Sequence, residues 1–161
     1  MEFKIGEPMF LCGAWSKVRD SLYESSLYFL NNRKKVIFID TLNNLDPHSK
    51  LYRCPLQKQL FRSIYCARSE MPYDLLARLK TSGNFIENKR IKALLVTSLT
   101  ILFKDSQDNE IAPLLNNILE IICDISKKHD LVTLIGVSPY PDEKVMKAAA
   151  ILLGKENVVM V

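Results

Sequence analysis

Apolar residues enter this chain in two rhythms. Short, nearly unbroken runs stand at 8–12 (PMFLC), 36–39 (VIFI), 93–96 (ALLV), 131–137 (LVTLIGV) and 157–161 (NVVMV). Runs without polar alternation are the pattern of strands covered on both faces. Between them the spacing widens to a helical period. In SKVRDSLYESSLYFL, 16–30, the residues Val18, Leu22, Leu27 and Leu30 recur about once per turn, and NNRKK follows as a stop. LQKQLFRSIYCAR, 56–68, reads as a helix with Pro55 at its start. Pro72 introduces YDLLARLKTSG, a further helix with Gly83 as its C-cap. IAPLLNNILEIICDISKKHD, 111–130, is a long amphipathic helix with Leu114, Ile118, Ile121, Ile122 and Ile125 on one face and basic residues in its last turn. DEKVMKAAAILLG, 142–154, predicts one more helix.

Strands that alternate with helices along the whole chain predict an α/β domain with a central, mainly parallel sheet flanked by helices. The 161 residues suit a single domain over 1–161, with no repeat, low-complexity tract or linker. In such sheets function gathers at the carboxyl ends of the strands. The tips to read are therefore Gly13–Lys17, Asp40–Pro47, Thr97–Ser98 and Val137–Tyr140.

Composition narrows the classes. Apolar residues make up 48% and charged residues 25%, as in soluble globular proteins. No apolar run is long enough for a membrane helix, and the start MEFKIGEPMFLCGAW is not a signal peptide. Net charge is +4, a mildly basic balance that permits nucleic-acid binding without requiring it. The four cysteines, Cys12, Cys54, Cys66 and Cys123, form no CxxC pair and stand apart from His48 and His129, so metal-site spacing is absent. Scattered reduced thiols fit a cytoplasmic protein. Abundant Lys, Ile and Asn would suit an archaeon with an AT-rich genome.

Tip by tip, the chain resembles the RecA superfamily of recombinases, the archaeal RadA and RadB proteins above all. In LCGAWSKV, 11–18, Lys17 stands where a phosphate-binding loop GxxxxGK[ST] has its lysine. The remaining positions depart: Leu11 and Ser16 replace the glycines, Val18 replaces the Mg²⁺-holding hydroxyl, and Gly13 supplies a turn at most. FIDTLNNLDP, 38–47, is similar to the family strand that ends in Asp and carries a downstream Leu-Asp-Pro; Asp40 matches, while Leu42 occupies the place of the water-orienting Glu. FRSIYCARSEMPYDLLARL resembles a segment in which an Ala-Arg pair ends a strand and Asp-Leu-Leu opens a helix, matched by Arg68 and Asp74. IKALLVTSLTILFKD looks like the Walker B strand, with Ser98 and Phe103-Lys104 in agreement and Thr97 in place of the Asp that anchors Mg²⁺. LVTLIGVSPYPDE resembles the strand and DNA-binding loop that follow, with Val137-Ser138 for the family's Asn-Gln and a short, proline-bearing, acidic loop.

The resemblance implies a three-layer RecA-like fold whose ATPase site is erased. Gly13, Ser16, Lys17, Val18, Asp40, Leu42, Thr97 and Ser98 mark that degenerate nucleotide site. No catalysis, metal, bound ATP or other cofactor is expected. The N-terminal helical DNA-binding domain of the full-length recombinases has no counterpart in the sequence. By resemblance, such paralogues act as accessory factors in DNA recombination and repair, and their partners are single-stranded DNA, a RecA-family recombinase or a second copy, not a membrane. Basic residues at the tips and turns are the candidate DNA contacts: Lys17, Arg19, Arg33, Lys34, Lys35, Lys50, Arg53 and Lys104. Trp15 beside Lys17 could fill the vacated pocket, face a base or partner, or join the core. Two other expectations stand beside this one: a structural subunit like the RecA-fold ring proteins of Elongator, and a sensor that holds a nucleotide without turning it over.

Overall fold

The computed structural model of the chain describes residues 2–42, 60–137 and 157–161. Within these residues the elements run β1 (Pro8–Cys12), α1 (Trp15–Asn31), β2 (Lys35–Asp40), β3 (Ile64–Arg68), α2 (Pro72–Lys89), β4 (Ile91–Val96), α3 (Asp108–Lys128), β5 (Val132–Val137) and β6 (Val158–Met160). The strands form one six-stranded sheet in the order β3-β2-β4-β5-β1-β6. Every neighbouring pair is parallel. The expected three-layer α/β architecture is what the chain adopts, and it is consistent with a RecA-like arrangement.

Residues alternate strictly across the sheet. Met9, Leu11, Val36, Phe38, Leu95 and Leu134 meet α1 on one face. Phe10, Ile37, Ile39, Leu94, Val96 and Ile135 meet α2 and α3 on the other. Both faces of every central strand are thus covered, which is why the strands read as unbroken apolar runs. The side on which each helix packs follows from handedness. α1 carries the chain from β1 towards the β3 edge, whereas α2 and α3 carry it back the other way. Crossovers between parallel strands are right-handed, so a reversal of direction puts the helix on the opposite face.

Two sequence expectations are corrected. Residues 64–68 are a strand, not the end of a helix: Val36 to Asp40 pair in register with Ile64 to Arg68. β3 is half-exposed at the sheet edge, so its apolar spacing is loose enough to read as helical. The Ala67-Arg68 strand end that the resemblance implied is the one observed, and Leu56–Gln59 of the expected helix lie outside the described residues. Gly83 is not a C-cap either. α2 runs on to Lys89, held by buried Ile86, and Arg90 takes the left-handed cap conformation at φ 56°. The helix 142–154 also lies outside the described residues.

Gly83 therefore sits inside a helix, where glycine costs backbone entropy. A Cβ there would lie 3.7 Å from His129 Nε2, an ordinary contact. Gly83→Ala is expected to stabilise the protein by about 0.5–1 kcal/mol, read as a rise in urea midpoint with unchanged slope.

Candidate functional site

The carboxyl pole of the sheet is formed by the strand ends and the turns that follow them. β1 ends at Cys12 and α1 begins at Trp15, so only Gly13 and Ala14 link them. Ala14 caps the helix, and its carbonyl accepts the N–H groups of Lys17 at 2.9 Å and Val18 at 3.0 Å. The expected loop Gly13–Lys17 is thus a helical turn from Trp15 onward. A phosphate cradle uses a longer glycine-rich loop whose free N–H groups point at the ligand. Here Ser16 and Lys17 are exposed on the first turn, and Val18 is wholly buried against the α1 face of the sheet. Trp15 is half-buried and packs against the same core.

Gly13 has another use. A Cβ at this position would overlap the Val161 carbonyl oxygen. Val161 in turn donates its N–H to the Cys12 carbonyl at 2.9 Å. The glycine lets the backbone after β6 close over the tip of β1.

The next tip lies between β2 and β4. The chain leaves β2 for β3 on one side and β4 for β5 on the other, so this is a topological switch point, where α/β sheets open a crevice. Hydroxyl groups close it. The Thr41 N–H donates to Thr97 Oγ1 at 2.8 Å, and the Thr97 hydroxyl donates to Thr41 Oγ1 at 2.9 Å, the Thr41 proton being taken by the Ser98 carbonyl. Thr41 Oγ1 donates to the Ser98 carbonyl at 2.6 Å and accepts the Ser98 N–H at 3.0 Å. Ser98 Oγ meets Thr100 Oγ1 at 3.2 Å. Thr97 N–H reaches the Ile39 carbonyl on β2, and Leu99 N–H reaches the Gly136 carbonyl on β5. The segment after β4 is a latch tied to both neighbouring strands.

Asp40 is buried beside this latch, and one carboxylate oxygen accepts the Leu42 N–H at 3.1 Å. Its carbonyl accepts the Ser69 N–H at 3.1 Å, while the buried Ser69 hydroxyl finds no partner among the described residues. Leu42 is half-buried. The structure thus brings Asp40, Thr97 and Ser98 to one tip, and it turns Thr97 and Ser98 inward to the latch.

At β5, Val137 is buried and Ser138 lies outside the described residues. Gly136 makes a close approach that the sequence reading missed. A Cβ there would overlap the Thr97 carbonyl oxygen and stand 2.8 Å from Val18 Cγ1. The signal was present as a lone glycine in a strand run, which marks close backbone approach. Thr41 was missed as well, because hydroxyl networks leave no spacing pattern.

The candidate DNA contacts do not form one patch. Lys17, Arg19 and Lys104 lie at the carboxyl pole, where Arg19 pairs with Asp20 at 2.9 Å and Lys104 with Asp105 at 3.9 Å. Arg33, Lys34 and Lys35 lie at the opposite, amino pole, in the turn between α1 and β2. Lys50 and Arg53 lie outside the described residues.

The thiols of the described residues are shifted upward. Burial pushes the Cys12 thiol up. Burial raises the Cys66 thiol first, and the Asp40 carboxylate raises it further. Burial, then Asp124 and Glu120, raise Cys123. Thiols shifted this way stay protonated at neutral pH and are poor nucleophiles. No cluster of three metal-ligating side chains occurs among the described residues. None of their helices is long and apolar enough to cross a membrane. Compared with protein-family models and with curated proteins, the chain matches none.

Proposed function

We propose that the protein is a non-catalytic RecA/RadA-like paralogue of the cytoplasm that serves DNA recombination and repair as an accessory or regulatory factor. It binds DNA, a recombinase or both, and it does so without hydrolysing ATP. The observation that carries this reading is the β1–α1 junction. Two residues link strand to helix, Val18 fills the core at the hydroxyl position, and Val161 covers Gly13. Phosphoryl transfer rests on positioning and charge stabilisation, and this junction offers neither a cradle nor a metal-holding hydroxyl.

Two measurements test the reading. A true nucleotide site at 100 times its Kd would add about 2.7 kcal/mol to stability, a rise of several degrees in melting temperature. We expect no rise with Mg-ATP, and a clear one would move the protein to the sensor class. The second is strand exchange by purified RecA-family recombinase from the same cell. We expect this protein to change its rate or to co-elute with it; a recombinase unaffected in rate and assembly would sink the accessory role.

A further inference from the structure

We infer that the amino pole of the sheet, not the carboxyl tips, is a binding surface for single-stranded nucleic acid. The inference rests on the nucleic-acid arm of the function proposed above. Each described helix returns to the sheet at this pole through a tight turn, and the three turns share a build. Arg33, Arg90 and Asp130 hold φ of 56°, 56° and 52°. Left-handed caps of this kind usually go to glycine, and here they project side chains instead.

The turns are basic. The first reads NNRKK (31–35), the second KRIK (89–92) and the third KKHD (127–130). They bring eight lysines and arginines against one carboxylate, Asp130. All eight are exposed except Lys35, which is half-buried. Among the described residues none of the eight forms an ion pair. At the carboxyl pole, by contrast, Arg19 and Lys104 are neutralised by adjacent acids. The helix dipole accounts for Lys89, Lys127 and Lys128 in last turns. It does not account for Lys34, Lys35 and Lys92, which stand at or next to the starts of strands. These three turns lead into β2, β4 and β5, which are adjacent. The cations therefore span about 10 Å of sheet edge, room for about two successive phosphates of an extended strand.

A groove of about 1000 Å³ opens at the same pole, with Lys34 and Lys92 on its wall. Its apolar side is aromatic: Phe3 lies 5.3 Å from Tyr28 and 4.9 Å from Phe29, ring centre to ring centre. Tyr28 is 54% exposed. Aromatic faces beside a basic rim suit unstacked bases with the phosphates outside, an arrangement closed to a duplex. Glu2, Glu24 and Asp130 also line the groove. They oppose phosphate inside it, but they accept hydrogen bonds from the exocyclic amines of bases. An anionic lipid sheet laid across the same pole would meet those carboxylates with nothing to offer them.

The test is fluorescence anisotropy of a labelled mixed-sequence DNA 20-mer, single-stranded and duplex, across a salt series. Vesicles with and without phosphatidylserine run in parallel. We expect salt-dependent binding that favours the single strand. Lys34→Glu/Lys92→Glu should weaken it about tenfold or more and flatten the salt slope by about 1.4, the effect of two lost phosphate contacts. Tyr28→Ala should weaken the single strand about fivefold with little change for duplex. Lys80→Glu, on the exposed side of α2, should bind as the parent does. Thermal melts of each variant establish that it folds; should Lys34→Glu/Lys92→Glu fail to, Lys34→Gln replaces it. Binding abolished by Lys17→Glu/Lys104→Glu but kept in Lys34→Glu/Lys92→Glu overturns the surface and leaves the proposed function standing. Binding to phosphatidylserine vesicles alone, or to no nucleic acid at low salt, overturns the inference; the recombinase experiment then decides the function independently.

Discussion

Gly136→Ala is expected to cost the protein about 3–5 kcal/mol of stability. The added methyl would overlap the Thr97 carbonyl oxygen, 2.9 Å from the Thr97 carbonyl carbon and 2.8 Å from Val18 Cγ1. Two of those three atoms are backbone, so no side-chain rotation relieves the clash. Relief requires β4 and β5 to part. That movement would break the bond from Leu99 N–H to the Gly136 carbonyl, now 2.9 Å, and strain the latch beyond it. Overpacking costs about 1–3 kcal/mol and each lost hydrogen bond about 0.5–1.5. A domain of this size holds only about 5–15 kcal/mol in all, so the loss is a large share. Urea unfolding measures it directly. A further variant, Gly136→Ala with Val18→Ala, should recover only part of the loss, because the carbonyl clash stays. An unfolding free energy within about 1 kcal/mol of the parent would mean that the strands separate more easily than this geometry allows.

Thr97→Asp is the second large effect. It restores the carboxylate that the resembled Walker B strand carries, yet we expect it to destabilise by about 3–5 kcal/mol at pH 7. Thr97 is 4% exposed, and its hydroxyl serves the Thr41 N–H and the Thr41 hydroxyl together. A carboxylate there would be buried without a cation. It would also stand beside Asp40, one step beyond the Ile39↔Val96 register pair on the neighbouring strand. Burial and like charge both favour its protonated form, which raises its pKa above the unfolded value. Protonation in the folded state then means that the deficit shrinks as pH falls towards the ordinary carboxylate range and is fullest above the raised pKa. Mg-ATP should rescue none of it. Thr97→Val should cost less, about 1–3 kcal/mol, because it orphans the Thr41 N–H without burying charge. Thr97→Ser keeps the hydroxyl and should cost least. If Thr97→Asp folded as well as the parent and gained a melting shift with Mg-ATP, the latch would be a dormant metal site and the erased-site reading would fail.

Much of the candidate site was legible as substitutions, and little of it as geometry. Leu11, Ser16 and Val18 announce in sequence that a phosphate loop is missing its parts. They do not say what the tip became. That Val18 packs against Gly136, and that Val161 lies over Gly13, joins segments more than a hundred residues apart. The basic residues show the same divide. RKK at 33–35 was visible as a turn and KKH as the basic last turn of a helix, while KRIK at 89–92 stood between a helix expected to end at Gly83 and the strand at 93–96. Only the parallel order β2-β4-β5 sets the three side by side.

The sequence by itself determined the layers. Strands covered on both faces must be apolar throughout, and surface helices must repeat at 3.6 residues, so local pattern alone separates the two. It also determined the span of β1, which matches its apolar run residue for residue, and it set β2, β4 and β5 to within a residue or two. Tertiary structure decided the rest. Ile64–Arg68 became a strand because β2 offered an edge to pair with, a contact that overrides weak local preference. α2 ran through Gly83 because Ile86 had a core to enter. The hydroxyls of Thr41, Thr97 and Ser98 became a latch because the switch point set two strand ends within hydrogen-bond reach. Hydrogen bonds and close approaches of this kind depend on distances of tenths of an ångström between residues remote in sequence, which no periodicity along the chain encodes.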